Sequence, residues 1–156
     1  MANLTRDSYT PGADTNLYDA IGRLVHDTED YLKQQSSTPR VICTIMTDGE
    51  ENASREYTRE AVFKLITDKE KEGWVFLYLG ANQDAWAVGE SIGIHRSNSA
   101  NYQAHAPDVA LRSTAEANSR WVRRRRKGVR AEQVFVEDDL VKIKGCPSIG
   151  SGRLPA

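Results

Sequence analysis

Three groups of residues in this sequence could do chemistry. The first is an oxygen-rich stretch, Thr47-Asp48-Gly49-Glu50-Glu51-Asn52. Glu50 and Glu51 form a carboxylate pair on paper, but neighbours in a loop usually point apart, so they do not read as a general acid and base. The second is a basic run, Arg120, Arg123, Arg124, Arg125, Arg126, Lys127 and Arg130. Such a cluster suits contact with nucleic acid or another polyanion, with salt-sensitive affinity. It equally suits a solvated helix end, where the dipole favours cations. The third is His26, His95 and His105, which stand apart from one another and from any Ser/His/Asp or Cys/His arrangement. The chain has no phosphate-cradling glycine loop ending in Lys-Ser or Lys-Thr, and Cys43 and Cys146 have no ligand spacing around them. The chemistry therefore points to binding, not catalysis.

The elements that position these groups follow from periodicity. Leu17, Ile21, Leu24, Val25, Thr28 and Leu32 recur at helical spacing and predict a helix over about 15–34, capped by Asp14 or Thr15. The run Val41-Ile42-Cys43-Thr44-Ile45-Met46 is rich in β-branched residues and predicts a strand buried on both faces. Asp48 follows it as a turn former ahead of Gly49. A second helix is expected over about 58–72, closed by Gly73, and a second buried strand over Trp74–Leu79. A short helix from about 83 to 91 completes the order helix, strand, helix, strand, helix. That rhythm belongs to a parallel sheet with helices on its faces.

Beyond Gly93, residues 95–106 read as a loop, and Pro107 opens a helix reaching about Lys127. Gln133–Val136 and Leu140–Lys144 flank three acidic residues, which suggests a β-hairpin within 131–146. The segment 147–156 reads as a flexible tail. Trp74, Trp86 and Trp121 read as core anchors.

The chain has 156 residues, enough for one domain with a real core, and a formal net charge of -1. That balance gives no global pull toward nucleic acid or membrane. No apolar run approaches the length of a membrane span, and the first residues do not resemble a signal peptide. A cytoplasmic location without a disulfide is expected, or a virion if the chain is phage-encoded.

The segment Gly12-Ala13-Asp14-Thr15-Asn16-Leu17-Tyr18-Asp19-Ala20-Ile21 resembles the stretch of von Willebrand factor A-like (vWA) domains that carries a metal-site threonine at the head of a helix. Val41–Met46 with Thr47-Asp48-Gly49 is similar to the following strand and its metal-site aspartate. Trp74–Leu79 with Gly80-Ala81-Asn82-Gln83-Asp84 is similar to the next strand and loop of compact bacterial and phage members. The resemblance covers about 8–95 and departs from the family in one respect, since no Asp-x-Ser-x-Ser motif is found.

The resemblance implies an α/β, Rossmann-like three-layer fold, with a mostly parallel sheet flanked by helices and without the family's first strands, over about 1–130. It implies a non-catalytic, protein-binding module with an incomplete metal-ion-dependent adhesion site. Thr15 and Asp48 would be its Mg²⁺ ligands. It also leaves the 41–46 strand with an unpaired edge, which would favour self-association or assembly with another chain. A structural component of a phage or bacterial complex built on that edge, and a polyanion-binding protein acting through 120–130, are the alternative readings.

Overall fold

The computed structural model describes residues 14–37, 39–128 and 133–144. Along the chain run α1 (Leu17–Lys33), β1 (Ile42–Thr47), α2 (Arg59–Lys71), β2 (Val75–Gly80), α3 (Ala85–Ser91), a 3₁₀ turn (Arg96–Asn98), β3 (Ser99–Asn101), α4 (Pro107–Arg126) and α5 (Glu137–Ile143). The three strands form one parallel sheet in the order β1-β2-β3. The fold is α/β, with helices on both sheet faces.

Alternation along the strands decides which side chain meets which layer. On one face Cys43 and Ile45 of β1, with Phe76 and Tyr78 of β2, pack against Leu17, Ile21 and Val25 of α1 and against Val62 and Ile66 of α2. On the other face Leu77, Leu79 and Ala100 pack against Ala110, Ala117 and Trp121 of α4, joined by Val134, Phe135 and Ile143. β2 is the central strand, and Phe76, Leu77, Tyr78 and Leu79 are all fully buried. The thiol of Cys43 lies within the first core, where burial pushes its pKa up to about 11, as befits a small core residue.

Local signals set the helix ends. α2 closes as the sequence suggests. Gly73 adopts φ +93°, its N–H donates to the Glu70 carbonyl, and the Trp74 N–H donates to that of Lys69. Only glycine takes that left-handed turn without strain. Pro107 opens α4 and Asp84 caps α3 through the N–H groups of Trp86 and Ala87.

Three expectations are corrected. Neither Asp14 nor Thr15 caps α1; the N-cap is Asn16, without a side-chain cap bond. The region 95–106 is not all loop, because Ser99–Asn101 forms β3 beside β2. The hairpin expected within 131–146 is not formed, because Glu137–Ile143 is a helix. Its acidic first turn favours the positive end of the helix dipole, and Asp139 accepts the N–H of Val136. α5 lies against α4, and Val134 is tied to the sheet layer by donating to Asn98 Oδ1. The 147–156 segment lies outside the described residues.

Candidate functional site at the carboxyl end of the sheet

The paired residues Thr47, Gly80 and Asn101 end the three strands side by side. The loops that follow open on one edge of the sheet, the usual position for ligand sites in open α/β sheets. Asp48 heads the first loop and is exposed. Among the described residues its carboxylate accepts no hydrogen bond. It does bear on the next loop, because Tyr102 is raised in pKa first by burial and then by the Asp48 charge.

Thr15 is brought to this loop by main-chain pairing. Its N–H donates to Asn52 Oδ1 at 2.7 Å, and the Asn52 N–H donates to the Thr15 carbonyl at 3.1 Å. The Thr15 hydroxyl then lies against Gly49, only 2.7 Å from where a Cβ would stand, so residue 49 must lack a side chain for this approach. Thr47 Oγ1 accepts the Gly49 N–H, and Gln83 Nε2 donates to the Gly49 carbonyl at 3.3 Å. Tyr78, fully buried in β2, donates its hydroxyl to Gln83 Oε1 at 3.3 Å. The Asp48-Gly49 turn is thus held from both sides, by α1 and by the loop after β2.

Around it lies a latch that sequence reading missed. The uncapped N–H groups of Tyr18 and Asp19 in α1 donate to Ser54 Oγ, and that of Tyr18 also donates to Glu51. Glu51 further accepts from the N–H groups of Ala53 and Ser54 and from the Ser54 hydroxyl. In return Asp19, buried in α1, accepts the N–H groups of Arg55, Glu56 and Tyr57. These partners are separated by more than 30 positions, so no local motif announces them. The latch also settles which carboxylates are available: Asp19 and Glu51 are engaged in positioning the loop, and Asp48 is not.

The latch has a pH signature. Asp19 is held below its ordinary value, chiefly by the Arg55 N–H, with Tyr57 and Glu56 adding to it against the cost of burial. For Glu51 burial is the largest influence and pushes upward, but the Ser54 hydroxyl and the backbone donors together outweigh it, leaving the group depressed. A depressed carboxylate contributes stability that is present above its unfolded value, about 4, and is lost as pH falls through the lower folded value. Protection factors at Arg55–Tyr57, taken relative to intrinsic exchange at each pH, should therefore fall on acidification below about pH 4, ahead of those of the β2 amides. Protection at those amides unchanged down to about pH 2 would show that the carboxylates do not hold the loop.

The residues of the basic run stand in different environments. Arg120 pairs with Asp139 of α5, which is buried. Arg125 lies with its guanidinium 5.6 Å from the Trp121 ring centroid. Arg123, Arg124, Arg126 and Lys127 are exposed, while Arg130 lies outside the described residues. Of the tryptophans, Trp74 and Trp121 are buried, and Trp86 is half-buried, donating to the Ser99 carbonyl between Arg96 and Lys144.

A Mg²⁺ ion takes six oxygens and readily keeps several as water. The Thr15 hydroxyl lies against Gly49, the residue that follows Asp48, so one neutral and one charged oxygen ligand stand on the same loop edge. Among the described residues no three His, Cys, Asp or Glu gather into a ligand group. Nor is any helix among them long and apolar enough to cross a membrane. No family model matches the chain, and no curated protein or solved structure is significantly similar to it.

Proposed function

We propose that the chain is a non-catalytic, vWA-like protein-binding module whose contact edge is the carboxyl end of the parallel sheet. Thr15 and Asp48 would share a Mg²⁺ ion with oxygens supplied by the partner. The observation that carries this reading is the docking of Thr15 against the Asp48-Gly49 turn, with Asp48 left exposed and unbonded while Asp19 and Glu51 are engaged. The resemblance in sequence order supports the same assignment. Two protein oxygens are too few to hold the ion tightly, so a partner's carboxylate would complete the shell and make binding depend on metal.

A second reading rests on β1. Among the described residues β1 pairs with β2 alone. The carbonyls of Val41 and Thr47 accept from Val75 and Ala81, so the odd-numbered residues turn their main-chain groups toward β2. By alternation, Ile42, Thr44 and Met46 turn theirs outward, as an edge able to take another strand. The side chains of these three residues are only half-buried. Proline tolerates an edge position whose N–H faces away from the sheet, so Thr44→Pro should keep the fold yet block strand addition.

Solution mass with Mg²⁺ and with chelator separates the readings. Association that requires Mg²⁺ and is lost in Asp48→Ala supports the metal-bridged edge. Association indifferent to chelator and lost in Thr44→Pro supports the strand edge and overturns the first reading.

A further inference from the structure

At the opposite end of the sheet, where β2 and β3 begin, a cleft of about 480 Å³ opens between the end of α2, the 95–98 turn and the end of α4. We propose that this cleft binds a small dipolar molecule, an amino-carboxylate, with its carboxylate on Arg125 and its ammonium on Glu70.

The volume lies within the range of small-molecule sites, about 300–1,000 Å³. Arg125 contributes the first argument. Its Nε is buried and, among the described residues, has no hydrogen-bond partner. The guanidinium is fixed over Trp121, itself 3% exposed, so the side chain is held in place without its donor being satisfied. A buried donor left unmade is costly, and a guanidinium takes a carboxylate in matched geometry.

Glu70 contributes the second. It lines the same cleft, half-buried, and among the described residues no ion pair joins it to Arg125. Burial raises its pKa, with His95 pulling the other way. A ligand cation beside it would offset the cost of burying its carboxylate. A simple anion would satisfy Arg125 and leave Glu70 opposed to it; a simple cation would do the reverse. A molecule carrying both charges satisfies both walls. His95 adds a donor, because its Nδ1 accepts the Ser97 N–H and Nε2 then carries the ring proton.

The test uses the whole chain with glycine, 4-aminobutyrate and 6-aminohexanoate, which space the two charges differently, and with acetate and methylammonium as single-charge controls. Affinity is measured by calorimetry, and the site is read from the Arg125 Nε–H resonance. The expected result is saturable binding of at least one amino-carboxylate that shifts this resonance. Acetate, methylammonium and the Glu70→Gln variant should each bind about tenfold more weakly or worse, a difference of about 1.4 kcal/mol. Arg125→Lys keeps a cation but lacks the Nε donor, so it should weaken binding while remaining folded by circular dichroism. Failure of every amino-carboxylate to bind, acetate binding equally well, or unchanged affinity in both variants would overturn the proposal. None of these outcomes bears on Thr15 or Asp48, which lie at the other end of the strands.

Discussion

Replacing Arg120 by methionine should lower folding stability by about 3 kcal/mol, the lower end of the roughly 3–5 kcal/mol seen when one partner of a buried ion pair is removed. Asp139 is 1% exposed and among the described residues accepts from two groups, the Arg120 guanidinium and the Val136 N–H. Methionine preserves most of the aliphatic stem but leaves a buried carboxylate with one neutral donor. The arginine side chain is 41% exposed, so solvent partly screens the pair, which is the reason for expecting the lower figure. Urea denaturation of Arg120→Met beside Arg123→Met makes the comparison internal. Arg123 is exposed and among the described residues donates to the Ser119 carbonyl alone, so its loss should change stability by less than about 0.5 kcal/mol. Equal effects from the two substitutions would show that the Arg120–Asp139 pair does not fasten α5 to α4.

Phe76→Ala should cost about 3–5 kcal/mol, the range for emptying an aromatic site in a packed core. Phe76 has no exposed surface, stands in the central strand between the layers, and stacks on Trp74 at 6.2 Å between ring centroids. β1 beside it and the packed residues of α1 and α2 above leave little room for collapse into the vacancy. Tyr78→Phe, two positions along the same face, should behave differently. It keeps the ring in the core and removes only the hydroxyl that holds Gln83 against the Gly49 carbonyl. Stability should fall by about 1 kcal/mol, the net worth of one hydrogen bond, while amide exchange quickens at Gly49. A small loss from Phe76→Ala would mean that β2 is not the centre of the core.

The contrast between these substitutions shows what could be read from sequence. β1 and β2 were legible because each is an unbroken apolar run, and α2 because its periodic face ends at Gly73. β3 was not, since Ser99-Ala100-Asn101 has no strand character of its own. It exists through pairing with β2 and through the Trp86 ring nitrogen donating to the Ser99 carbonyl. α5 was misread because apolar residues on either side of Glu137-Asp138-Asp139 look like a hairpin around an acidic turn. Those same residues are instead a favourable first helical turn, and the partner of the buried Asp139 lies on α4, 19 positions away.

The site divides along similar lines. The positions of Asp48 after β1 and of Thr15 ahead of α1 were legible from the order of elements. The pairing of Thr15 with Asn52, and the exchange among Asp19, Glu51 and Ser54, join segments distant in sequence and so appear only once α1 is packed beside the loop. For the basic run, composition shows the number of cations and not their counter-ions, so the Arg120–Asp139 pair appears only in the fold.

The most direct test of the proposed binding edge is paramagnetic broadening by Mn²⁺, used as a substitute for Mg²⁺, in the amide spectrum of the whole chain. Broadening should be centred on Thr15, Asp48 and Gly49, should be competed by Mg²⁺, and should vanish in Asp48→Ala while the core resonances stay in place. Broadening centred elsewhere, or unchanged by Asp48→Ala, would contradict the assignment of this edge as the metal-bridged contact surface.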